Sequence, residues 1–297
     1  MSRLQCVLFG VGLLWLVLGR LAPAAEPSRA PDQVPQLQGS TSYGEAVDIA
    51  RREGKMLLIC FKKPEGCQLG ERFARETLSD PEVVEKLKQF VRARLPVDAT
   101  IRTESGESIL LKHRAFAEML GRPGVAILDF AHKEAPYYGY VVSTFPFLKD
   151  RPYTPREMSA ILDLPPGTLT QRTLIYAVRT HPDRPASTKG ELDPNLAKEA
   201  SLHSQQQARI CRQGHHNWNL RFRRINAKLP RGLVASEVCA ESWPGESLVE
   251  AAIECVRCWR LSSGHWSAVR ARHPVYGYDM KRGSNRVWYA TGIFGRG

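Results

Sequence analysis

An α/β fold is predicted for this chain by three observations. Short apolar runs of strand length, such as Lys55-Met56-Leu57-Leu58-Ile59-Cys60-Phe61, alternate with amphipathic stretches of helical spacing. Asp-Pro or Thr-Pro pairs open three of those stretches, at Asp80-Pro81, Thr154-Pro155 and Asp193-Pro194, where a capping side chain and a first-turn proline start a helix. At 297 residues the chain is long for a single small core, and Pro165-Pro166-Gly167 breaks it into two halves.

Arg3, the apolar run Val7 to Leu18 and the small residues Ala22-Pro23-Ala24 form the pattern of a secretory signal peptide over 1–24. An uncleaved anchor is the lesser reading, because the run falls short of the roughly 20 residues that span a bilayer and Arg20 interrupts it. Residues 25–41 are rich in Pro, Gln and Ser and read as a flexible leader. A secreted or periplasmic location and no stable membrane span after removal of the signal are therefore expected.

The formal net charge of +12 favours anionic neighbours, an envelope polymer or lipid headgroups, while nucleic acid is not expected outside the cytoplasm. Mixed stretches such as Arg51-Arg52-Glu53 equally fit an ordinary solvated surface, and no individual partner is identified. Of seven cysteines, Cys6 lies in the leading apolar run; Cys60, Cys67, Cys211, Cys239, Cys255 and Cys258 remain. A bridge from Cys239 to the helix carrying Cys255 and Cys258 is expected in an oxidising compartment, although spacing does not fix connectivity.

From residue 42 the elements follow in order. A helix over 42–53 precedes the buried strand at 55–61; Leu69, Phe73 and Leu78 share a helical face; Asp80-Pro81 opens a second helix; Phe90 to Val97 is a strand. A helical insertion over Lys112 to Leu120 is followed by strands at 125–130 and 138–142, suited to a hairpin, and by a short helix after Thr154-Pro155. Residues 42–163 thus resemble the thioredoxin-like family. The resemblance implies a cis proline at Pro123 and an attacking thiol at Cys67. Where the family carries a second cysteine, this chain has Gly70 in Cys67-Gln68-Leu69-Gly70, so the readings are a degenerate scaffold or a monothiol activated at a helix N-terminus. Pairing with Cys60, or a purely structural thiol, stays open.

Residues 166–297 begin with a helix around Leu169 to Val178, then a helix from Asp193-Pro194 whose Ala197, Ala200, Ser204, Ala208 and Cys211 form a narrow small-residue face. Gly214 follows, with His215-His216 beyond it; Ser236-Glu237-Val238 lies on a strand or loop. A helix with Leu248, Ala252, Cys255, Val256 and Trp259 on one face is expected to stop at Gly264, before His265. Aromatic and β-branched strands at 275–280 and 286–294 close the chain.

The run Trp259-Arg260-Leu261-Ser262-Ser263-Gly264-His265, the Glu237 region and the segment Trp288 to Phe294 together resemble the CAP superfamily, also called cysteine-rich secretory, antigen 5 and pathogenesis-related 1. That resemblance implies an α/β/α sandwich with a cleft lined by His216, Glu237 and His265, with Ser262 at the position of the family's second glutamate. His215 is the alternative to His216, and Glu241 to Glu237. Two imidazoles and a carboxylate suit a divalent metal such as zinc, or a bound ligand. Ligand binding is the leading expectation: an apolar molecule, a divalent metal or an envelope component. A monothiol redox or hydrolytic enzyme of the cell envelope is the alternative, although no nucleophile motif and no His-Glu-x-x-His helix is present.

Overall fold

Ser42 accepts a hydrogen bond from the backbone of Glu45 and so starts α1 (Tyr43–Glu53), which ends at Gly54 in the left-handed region (φ 62°). This is a computed structural model that describes residues 39–63, 68–103, 106–149 and 151–297. The expected signal peptide, most of the expected leader and Cys67 lie outside the described residues. Beyond α1, β1 (Leu57–Lys62) is buried from Leu57 to Phe61, as its unbroken apolar run requires.

After β1 come α2 (Gln68–Arg72), a π-helical turn over Phe73–Thr77, and α3 (Pro81–Leu87), whose cap Asp80 accepts from the backbone of Glu82 and Val83. β2 (Val91–Pro96) runs parallel to β1, a hairpin of β3 (Thr100–Thr103) and β4 (Gly106–Ile109) projects beyond it, and β5 (Gly124–Leu128) pairs antiparallel with the other side of β1. The insertion expected as a helix is a pair of short 3-10 segments, Leu110–Lys112 and Arg114–Met119, the second started by the His113 ring and stopped by Leu120 in the left-handed region.

The expected strand at 138–142 begins later, because a buried carboxylate organises the residues before it. Asp129 accepts from the backbone of Ala131 and His132 and meets the His132 ring at 2.8 Å, holding a loop to Tyr140. β6 (Val141–Pro146) then pairs antiparallel with β5, giving the order β2-β1-β5-β6. Pro123 is buried at the entrance of β5, and its carbonyl accepts from Phe147.

Capping boxes start α4 (Pro155–Leu162) from Thr154 and Glu157, and α5 (Leu169–Thr180) from Thr168 and Gln171. The Pro165-Pro166-Gly167 segment between them is pinned. Arg172 of α5, wholly buried, donates to Ser143 of β6 and to the carbonyls of Leu164 and Pro165. All described residues fall in one compact unit.

The second sheet has the order β7-β9-β10-β8, from β7 (Glu191–Leu192), β8 (Val234–Glu241), β9 (Val275–Arg282) and β10 (Trp288–Arg296); only β7 and β9 run parallel. One face carries α6 (Pro194–Ile210), whose Leu196 and Ala200 cluster with Ile293 and Val275, and α7 (Trp218–Asn226) follows at its edge. The other face carries α5 and α8 (Leu248–Leu261), and α9 (Ser263–Arg270) completes the set. On that second face a single apolar cluster runs from Leu58 and Val125 of the first sheet through Met158 and Tyr176 to Trp259, Tyr278 and Phe294 of the second.

α6 approaches β9 closely at Gly277, where a methyl group would lie 2.3 Å from the backbone of Leu196 and Ala197. Gly277→Ala is expected to cost about 3 kcal/mol, the upper end for overpacking, because backbone rather than a side-chain tip must move. Urea unfolding measures it; a loss under about 1 kcal/mol would mean that the helix can withdraw freely.

The bridge expected between Cys239 and α8 is absent: Cys60, Cys211, Cys239, Cys255 and Cys258 are free thiols. The reason is the pleat. Cys239 points to the α6 face of the sheet, whereas Cys255 is buried in the cluster on the opposite face. Among the described residues no helix is long and apolar enough to cross a membrane.

Candidate functional site

The small-residue face of α6 is wider than its alanines suggest, and includes Leu196, Ala200, His203, Ser204, Gln207 and Ala208, all buried. His203 Nε2 lies 2.9 Å from the Gly214 carbonyl, so it carries the ring proton, and Nδ1 has no hydrogen-bond partner among the described residues. Burial pushes the His203 pKa below the usual imidazole value, against the upward pull of Glu237.

α6 ends at Cys211 in the left-handed region, and Gly214 (φ 153°), held by its N–H to Gln207, turns the chain. The next two histidines then part. His216 folds back over Gly214, with Nε2 3.2 Å from the Arg212 carbonyl. His215, exposed over 43% of its side chain, instead meets Glu237 Oε1 through Nδ1 at 2.9 Å and His265 Nε2 through its own Nε2 at 3.4 Å. The structure therefore brings Glu237 and His265 together with His215 and turns His216 away from them.

Strand alternation on β8 sends Glu237 and Cys239 to this side and Val238 and Ala240 into the shared apolar cluster. Glu241 is exposed at the strand end. His265 arrives by a different route from the one expected. Gly264 does not stop α8; α8 ends at Leu261, Ser262 alone forms the joint, and Gly264 lies in the first turn of α9 with His265 next to it. Partial burial and the neighbouring His215 hold the His265 pKa below the usual imidazole value.

Arg221 of α7 is the partner that sequence reasoning misses. Its guanidinium forks onto both oxygens of Glu237, Nη2 to Oε1 at 2.8 Å and Nη1 to Oε2, while Nε donates to the His216 carbonyl at 3.0 Å. The Trp218 ring covers it, centroid 5.2 Å away. Glu237 is 1% exposed in its side chain and Arg221 6%. Burial alone would raise the Glu237 pKa, but hydrogen bonds from Arg221 and His215, with the charges of His203 and Arg221, outweigh it and hold the carboxyl at about 2. The Cys239 thiol, 3.8 Å from His215 Nδ1, is pushed well up by burial and by Glu237.

Three groups here could hold a metal: ligand atoms of His203, Glu237 and Cys239 lie within 4.8 Å of one another. Neither His216 nor His265 belongs to that set. Because the Glu237 carboxylate accepts from His215 Nδ1–H, the His215 tautomer leaves an Nε2 lone pair facing His265.

No family model matches the chain, and no curated protein matches it. Among solved structures, an outer surface protein from Borrelia burgdorferi is similar over 36% of this chain and 77% of its own, at 18% identity and a TM-score of 0.29.

Proposed function

We propose that this is an exported protein with a thioredoxin-like half over 42–163 and a CAP-like half over 166–297, whose C-terminal cleft binds a divalent metal ion between His215 and His265 and, through it, a ligand. The order β2-β1-β5-β6, with one parallel and two antiparallel pairings, supports the first half of that reading. Helices on both faces of the β7-β9-β10-β8 sheet support the second.

The observation that carries the metal is the 3.4 Å between the two Nε2 atoms. Zinc–nitrogen bonds of about 2.0–2.1 Å in tetrahedral geometry place two nitrogens about 3.3 Å apart. Neutral imidazoles suit zinc, copper or nickel, and a carboxylate behind one of them fixes its orientation, the role Glu237 has for His215. Two protein ligands leave coordination positions for an oxygen or nitrogen donor of the bound molecule. The deeper set of His203, Glu237 and Cys239 is the weaker host. Arg221 already takes both Glu237 oxygens, and a metal there would have to displace a guanidinium and strip a proton from a thiol whose pKa is far above neutral.

Calorimetric titration of the full chain with zinc tests this. One equivalent is expected to bind, His265→Ala to weaken binding about tenfold or more, and His216→Ala to leave it unchanged. Wild-type affinity in a His215→Ala/His265→Ala double variant would overturn the reading.

A further inference from the structure

Away from the histidine site, Arg156 of α4, Arg179 of α5, and Arg184 and Lys189 of the connection to β7 line one open groove of about 610 Å³ together with Pro185 and Thr188. Among the described residues no carboxylate lines it. None of the four cations has an ion-pair partner among the described residues, and the described acids near them in sequence are engaged elsewhere. Glu157 pairs with Arg151, Asp163 with Lys86, and Asp183 with Arg260, while Glu191 lies outside the groove.

At least one of these cations is held in place. Arg179 Nη1 donates to the Asp163 carbonyl at 2.7 Å, which holds the guanidinium at the groove before any ligand arrives. Arg184 sits in the left-handed region at φ 50°, an uncommon conformation for arginine, which fixes the course of the chain at the groove wall. Four like charges gathered around one concavity without a counter-charge repel one another, and a multiply charged anion removes that repulsion. Guanidinium groups match phosphate oxygens in paired hydrogen bonds, which lysine complements as a point charge.

We infer that this groove, where α4 and α5 meet the loop leading to β7, is a binding site for a soluble, phosphate-bearing polyanion. The lining favours a soluble chain over a bilayer surface. Among the described residues the one apolar lining residue, Pro185, is buried, so the groove lacks the exposed aromatic or aliphatic residues that enter a membrane interface.

The test is titration of the full chain with short inorganic polyphosphate, with vesicles of anionic phospholipid as the second arm. Saturable, salt-sensitive polyphosphate binding is expected, weakened about tenfold or more in Arg179→Gln/Arg184→Gln. In Lys112→Gln/Arg231→Gln, which removes the same charge from exposed positions outside the groove, binding is expected to stay within about twofold of wild type. Thermal unfolding of both variants checks that the fold persists, and a single Lys189→Gln variant, on an exposed side chain, serves if Arg179→Gln proves destabilising. Equal loss in the two double variants would mean a general charge effect and overturn the site. So would an absence of polyphosphate binding, or vesicle binding that the groove substitutions abolish while polyphosphate binding does not occur.

Discussion

Replacing Arg221 by alanine is expected to lower folding stability at pH 7 by about 3–5 kcal/mol, because it strands the Glu237 carboxylate in a buried site without its guanidinium. The same pair governs the response to acid. The Glu237 pKa is depressed from the usual 4.5 to about 2, so the stability it contributes is fully present above pH 4.5 and lost as pH falls from there through about 2. That contribution is on the order of 3 kcal/mol. In Arg221→Ala protonation of Glu237 relieves an unpaired buried charge instead, so acidification from pH 7 to pH 3 should destabilise the variant less than the wild type. Urea unfolding at the two pH values measures both effects. A loss under about 1 kcal/mol at pH 7, or an unchanged dependence on pH, would remove Arg221 from this account.

Trp259→Ala is expected to cost about 3–5 kcal/mol and to weaken both sheets together. The ring is wholly buried in the cluster that spans them and packs 5.8 Å from Tyr278. Its indole N–H has no hydrogen-bond partner among the described residues, so Trp259→Phe should retain most of the lost stability, since no bond is forfeited. Hydrogen exchange followed by mass spectrometry reads the coupling: protection is expected to fall in β1 and β5 as well as in β9 and β10. Loss confined to the second sheet would show that the cluster does not tie the two halves into one cooperative unit.

Elements whose signals are local were legible in the sequence. Ser42, Asp80-Pro81, Thr154-Pro155 and Asp193-Pro194 each start the helix expected of them, because a cap and the N–H groups it satisfies lie within one turn. The strand beginning at Val141 was less accessible, since its start depends on how the Asp129 carboxylate holds a loop. Among site residues, Glu237 and His265 follow from their motifs, but the choice between His215 and His216 turns on the backbone of Gly214. His203 leaves a readable trace, because it falls at helical spacing from Leu196 and Ala200 on the buried face of α6. Arg221 leaves none; on a helix with several arginines, only the fold distinguishes it from a solvated neighbour.

The joint between α8 and α9 is a single residue, Ser262, with no slack on either side. A rotation or axial slip of α8, whose inner face is locked among the aromatic rings between the sheets, must therefore be transmitted to the imidazole three positions later. The separation of the two Nε2 atoms, and with it the grip on any ion between them, becomes a gauge of strain in the distant hydrophobic seam. Ligands at His215 and His265 and repacking at Trp259 should consequently read each other through one short mechanical lever.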